Sequence, residues 1–155
     1  MTKVKMICFD MDGTIADLYG VENWLEMLEN SNPMPYRIAK PLWDMEELIT
    51  TLMQLQQKGI EIRIVTWLAK DATAEYDRAV RLAKIDWLRH YDFPFEYFHA
   101  VRFGTTKANC VRKYLAKNEK AILIDDNAKV RKGWTLGETI DPTACDLVEV
   151  LKGLI

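Results

Sequence analysis

The chain has 155 residues, 49% hydrophobic and 28% charged, which suits one globular domain with a sizeable core. Its 21 basic and 23 acidic side chains leave a net charge of −2, so there is neither a basic footprint for nonspecific nucleic-acid binding nor a disordered acidic tail. The scarce residues exclude more: one serine (Ser31), two histidines (His90, His99) and three scattered cysteines (Cys8, Cys110, Cys145).

Ser31 sits in the turn-like run Asn30-Ser31-Asn32-Pro33 with no Gly-x-Ser-x-Gly around it, which argues against serine hydrolysis. The histidines stand outside any H-E-x-x-H pattern, which argues against a histidine-based zinc site. The cysteines form no C-x-x-C pair, and none is followed six residues later by arginine. Neither a Walker loop nor G-x-G-x-x-G occurs among the seven glycines. If the protein is an enzyme, carboxylates are the natural candidates for its chemistry. Unpaired cysteines and a first apolar run too short for a signal peptide or membrane span lead us to expect a cytoplasmic protein with no membrane partner.

In chain order, Val4–Phe9 reads as a buried strand ending at an acidic loop. Ala16–Trp43 carries Trp24, Leu25, Met27 and Leu28, then Pro33, Pro35 and Pro41, and reads as a small helical insert with an irregular return. Met45–Lys58 is an amphipathic helix stopped by Gly59, and Ile60–Thr66 is a β-branched strand. Ala72–Tyr91 is a long helical stretch, with room for one break, and Tyr97–Phe103 a weaker strand. Thr106–Ala116 is helical, and Ala121–Ile124 is an apolar strand running into Asp125-Asp126. A short helix Ala128–Trp134, a strand Glu138–Ile140 and a helix Pro142–Leu154 complete the chain. Strands alternating with helices predict a three-layer α/β/α, Rossmann-like parallel sheet over residues 1–155, with 16–43 as a cap-like insert after the first strand. Sites in such sheets lie beyond the carboxyl ends of the strands.

Asp10-Met11-Asp12-Gly13-Thr14 directly follows the first strand. Two carboxylates at about 4 Å repel by about 4 kcal/mol at an effective dielectric near 20. A bound Mg²⁺, which prefers carboxylate, carbonyl and water oxygens, reverses that balance. Gly13 permits a tight turn and close backbone approach. Asp125-Asp126 is a second acidic pair at a strand end, with helix capping as its competing role. Thr66 ends a strand, and Lys107 stands in a first helical turn, where a bound anion would offset its opposition to the macrodipole. Lys117 and Lys120 are rivals to Lys107.

Asp-x-Asp-Gly-Thr, Thr66, Lys107 and Asp125-Asp126, in that order, resemble the four motifs of the haloacid dehalogenase-like (HAD) phosphohydrolases. A closer resemblance, through Lys84-Ile85-Asp86-Trp87-Leu88, is to the 5′-nucleotidase branch acting on deoxyribonucleotides, although Trp87 at this spacing also suits core packing. The superfamily resemblance implies a HAD-like fold with the first and last motif strands adjacent. It also implies a Mg²⁺-dependent phosphatase acting through an aspartyl-phosphate. Asp10 would be the nucleophile and Asp12 the acid–base. Thr66 and Lys107 would hold the phosphoryl oxygens. Asp10, the Asp12 carbonyl and Asp126 would be metal ligands, with Asp125 direct or one shell out.

Phosphotransfer or mutase chemistry on the same fold, a receiver-like module and a catalytically silent phosphate-binding module are the alternatives. Receivers place their acidic pair early and their phosphorylated Asp mid-chain, unlike the order here. The intact Asp12 argues against silence. An insert of roughly 28 residues is too small for a second domain, and Tyr19, Trp24, Tyr36 and Trp43 within it can stack or pack locally. An open site of this kind suits a nucleotide, a nucleic-acid end, or a small phosphoester completed by a partner subunit in a homo-oligomer, and the sequence does not choose among them.

Overall fold

The computed structural model describes residues 2–155. Its first strand, β1 (Lys3–Phe9), alternates its side chains between two faces of a sheet, and both faces are covered. The insert begins with β2 (Ala16–Asp17) and a 3₁₀ turn at Leu18–Gly20, then carries α1 (Trp24–Glu29) and α2 (Met34–Ile38) and returns through β3 (Lys40–Pro41). After it come α3 (Met45–Gln57), β4 (Glu61–Trp67), α4 (Ala74–His90) and β5 (Tyr97–Val101). The last third holds α5 (Lys107–Val111), β6 (Glu119–Ile124), α6 (Ala128–Lys132), β7 (Thr139–Ile140) and α7 (Leu147–Lys152).

Five strands form one sheet in the order β5-β4-β1-β6-β7, every pair parallel. This is an α/β, Rossmann-like layering, because parallel strands need crossover connections and those connections cover both faces. Ile7, Phe9, Ile62, Ile64, Ile122 and Ile124 point to one face, packed by Leu48, Leu52 and Leu55 of α3, Leu88 of α4 and Leu147 and Leu151 of α7. Met6, Cys8, Val65, Ala121 and Leu123 point to the other, under Ala108 and Val111 of α5 and Trp134 beyond α6. The strand order reverses between β1 and β6, the place where ligands bind in open sheets of this kind. No described helix is long and apolar enough to cross a membrane.

Several elements depart from the sequence reading for local reasons. The stretch expected over Ala72–Tyr91 is one unbroken helix, opened by the Thr73 side chain accepting the Tyr76 N–H. The expected helix Thr106–Ala116 stops at Val111 and tightens into a 3₁₀ turn at Arg112–Tyr114. The final helix is half the expected length. Asp141 instead folds an Asx turn onto the Thr143 N–H, and Asp146 caps a new start by accepting the Glu149 N–H.

The return of the insert is regular rather than irregular. β2 and β3 pair antiparallel, Ala16 with Pro41 and Asp17 with Lys40, closing its neck as a two-stranded ribbon. Trp87 is core, with its indole N–H donated to the Ala39 carbonyl at 2.8 Å.

Candidate active site

Asp10 lies one residue past β1, Thr66 near the end of β4, and Asp125 and Asp126 just past β6, so the parallel sheet delivers all four to its carboxyl edge. The N–H of Asp10 bonds to the Ile124 carbonyl at 2.9 Å, tying the two acidic loops together. Gly13 turns the first loop with φ of +79°, and an added Cβ there would lie 2.4 Å from Asp126 Oδ2. Only glycine combines that backbone angle with so close an approach.

Lys107, buried in the first turn of α5, reaches Asp10 Oδ1 at 2.9 Å and Asp125 Oδ2 at 2.8 Å. Burial works against its ammonium, but Asp10 and Asp125 outweigh that and hold its pKa above the ordinary lysine value. The rivals are elsewhere: Lys120 pairs with Glu138 and Lys117 is exposed. The Thr14 hydroxyl has Asp10 Oδ2 at 3.1 Å and Asp126 Oδ1 at 3.3 Å as acceptors for its one proton, and it accepts the Asp126 N–H at 3.2 Å.

A second lysine, not anticipated as a site residue, completes the arrangement. Lys84 on α4 is 1% exposed. Its ammonium donates to Asp12 Oδ2 at 2.9 Å, Thr66 Oγ1 at 2.7 Å and the Trp67 carbonyl at 2.9 Å. All three ammonium protons are therefore used. In the sequence it opens the run Lys84-Ile85-Asp86-Trp87-Leu88 and is a cation inside the buried stripe Tyr76, Val80, Ala83, Trp87 of an otherwise amphipathic helix. Thr66 is fully buried behind Lys84 and does not line the cavity above the carboxylates, so its link to Asp12 runs through that lysine. Burial raises the pKa of Asp12, with Lys84 opposing and Asp10 adding to the shift.

Four carboxylates and two ammonium groups give the cluster a formal charge of −2. Carboxylate oxygens of Asp10, Asp125 and Asp126 lie within 4.8 Å of one another, the one such group found among the described residues. Burial first, and then the charge of Asp10, push Asp125 and Asp126 well above the ordinary carboxylate range. An oxygen-only donor set with two uncompensated negative charges fits a hard divalent cation. Both oxygens of Asp125 have protein partners, since Oδ2 takes Lys107 and Oδ1 takes the Asn127 N–H at 2.9 Å.

Above this floor opens a cavity of about 280 Å³. Tyr19, Trp24 and Tyr36 of the insert line it, together with Trp67 of β4 and Phe103 beyond β5. Trp67 packs at a tilt against Phe103, with ring centroids 4.9 Å apart, and donates its indole N–H to the Thr105 carbonyl. Trp43 is absent from the cavity. It packs on the core and donates its indole N–H to the Thr14 carbonyl at 2.8 Å, bracing the acidic turn from behind.

The fold and site together define a parallel α/β protein with an acid–lysine centre at its switch point. A scan of protein-family models and a search of curated proteins both return no match to this chain.

Proposed function

We propose that this protein is a Mg²⁺-dependent phosphomonoester hydrolase of the HAD-like type, working through an aspartyl-phosphate on Asp10. The observation that carries the proposal is the gathering of Asp10, Asp12, Lys107, Asp125 and Asp126, spread over more than a hundred residues of chain, around one buried point of net negative charge.

Asp10, Asp126 and the Asp12 main-chain carbonyl would hold the metal, with Asp125 beside them. When bound, Mg²⁺ supplies charge neutralisation that lets an anionic phosphate approach carboxylates. The Asp10 carboxylate then attacks phosphorus in line, forming an O–P bond as the ester O–P bond breaks. Asp12 gives its proton to the leaving oxygen, a role its raised pKa supports. Lys84 stabilises the carboxylate so formed. In the second half, water attacks the phosphorus of the intermediate, Asp12 takes the water proton, and Asp10 is released with inorganic phosphate. Lys107 balances charge on Asp10 and can hold a phosphoryl oxygen. Thr66, expected to share that task, serves in this geometry as the anchor of Lys84.

The aromatic walls favour a leaving group with a planar ring, and a nucleoside monophosphate is the substrate this reading selects. The test is phosphate release over nucleoside monophosphates, sugar phosphates, a 3′-phosphorylated oligonucleotide and an aryl phosphate, with and without Mg²⁺. Asp10→Asn should fold and lose turnover by about a thousandfold or more. Full activity in that variant, or no release from any member of the panel by the unaltered protein, refutes the proposal.

A further inference from the structure

The strand ladder leaves one peptide at the heart of the site without strand partners. β6 ends at Ile124 and β7 at Ile140, and the last bond between them is Asp125 N–H to the Ile140 carbonyl, at 3.3 Å. The next peptide unit, carrying the Asp125 carbonyl and the Asp126 N–H, therefore lies beyond the sheet. Holding that plane fixes ψ of Asp125 and φ of Asp126, the two backbone dihedrals that lie between the carboxylate-bearing residues and set one side chain relative to the other.

Two side chains grip the plane from opposite ends. The Asp126 N–H is held by Thr14 Oγ1 at 3.2 Å. The Asp125 carbonyl is held by Arg131 Nη1 at 3.0 Å. Arg131 comes from α6, which Asn127 caps by accepting the N–H groups of Lys129 and Val130. Its other terminal nitrogen lies 3.3 Å from Asp141 Oδ2. Asp141 is itself fixed, since its Oδ1 accepts both the N–H and the hydroxyl of Thr143, at 2.9 and 2.7 Å. The guanidinium presents its donors in a rigid planar fork, so one terminal nitrogen serves the carbonyl while the other faces the carboxylate.

We propose that Arg131, oriented by Asp141, is a positioning residue for cation binding. It sets the Asp125–Asp126 peptide so that both carboxylates converge with Asp10. The inference rests on the metal reading given above. It assigns to the β7 end of the sheet, remote from phosphate and leaving group, a share in metal affinity. Partners that orient metal ligands without touching the ion commonly contribute about 10–100-fold to affinity.

The test is Mg²⁺ binding to the full chain by calorimetry, with the Mg²⁺-induced rise in Tm as a second readout and no substrate present. Arg131→Met should weaken Mg²⁺ about tenfold or more. Arg131→Lys, which can keep one arm, should fall between. Asp141→Asn should weaken binding by a few-fold through Arg131 alone, and it covers the case in which Arg131→Met fails to fold. Lys132→Met, one residue along the same helix and exposed, should bind as the unaltered protein does. A lower Tm in the Arg131 and Asp141 variants with unchanged Mg²⁺ affinity would mean a merely structural role and overturns this inference alone. Failure of the unaltered protein to bind Mg²⁺ overturns the metal reading beneath it, and this inference with it.

Discussion

Lys84→Met replaces a buried ammonium by a thioether of similar length. Three hydrogen bonds vanish, one of them to a carboxylate. Breaking a buried ion pair from one side costs about 3–5 kcal/mol, because the other charge stays behind without its partner. The Asp12 side chain keeps 17% exposure and already has a raised pKa through burial, so it can respond by taking a proton. The lower end, about 3 kcal/mol, is therefore expected, roughly 6–12 °C in Tm for a chain of this size. The loss should shrink as pH falls, since protonated Asp12 needs no counter-charge. Asp12→Asn removes the same demand. The double variant should therefore be more stable than the two single losses summed, by about 1.5 kcal/mol or more. Urea unfolding of all four proteins at two pH values measures this. Additivity within about 0.5 kcal/mol, with no pH effect, would refute the view that Lys84 is held there to balance Asp12.

Gly13→Ala should destabilise the chain by about 1–3 kcal/mol by denaturant unfolding, from its left-handed backbone and the clash with Asp126 and Tyr19, and should weaken Mg²⁺ binding as well. His99 accepts a hydrogen bond from Arg63 at 3.1 Å, and burial, then Arg63 and Lys113, lower its pKa. Its stabilising share is thus present above the unfolded value of about 6.5 and is lost as pH falls through the lower folded value. His99→Gln should flatten the acid side of the stability profile, and an unchanged slope would refute this. Because Asp125 and Asp126 are raised by burial and by Asp10, protons compete with the cation. The Tm gain on adding Mg²⁺ should be larger at about pH 8 than at about pH 5, and equal gains would count against those carboxylates as ligands.

The acidic pairs were legible because their signal is local: two carboxylates at the end of an apolar strand read the same way in sequence and in space. Lys107 was legible only by position, as a cation in the first turn of a helix, with Lys117 and Lys120 as rivals. Lys84 was not, because its acceptors lie 72, 18 and 17 residues away and only the packing of α4 on the sheet brings them together. Thr14 was read as part of a motif, yet its tie to Asp126 spans 112 residues and depends on β1 and β6 being neighbours. The parallel, helix-covered sheet followed from alternation of strands and helices, whereas the lengths of α5 and α7 did not. At α7, Asp141 and Asp146 both offer caps; Asp141 holds an Asx turn and Asp146 starts the helix, a choice between equivalent local signals.

The ribbon of β2 and β3 has a consequence for how such a protein can diversify. Ala16 stands opposite Pro41 and Asp17 opposite Lys40, so the chain leaves and re-enters the sheet-bearing body at nearly one point. Lengthening a segment between ends already held together costs only about 0.6 kcal/mol per doubling. Asp10, Asp12 and Thr14 precede the neck, and Thr66, Lys84, Lys107 and the acidic pair follow it. The segment beyond the neck can be spliced, enlarged or exchanged without moving the acid–lysine centre, which leaves the walls of the cavity and its floor free to evolve as separate traits.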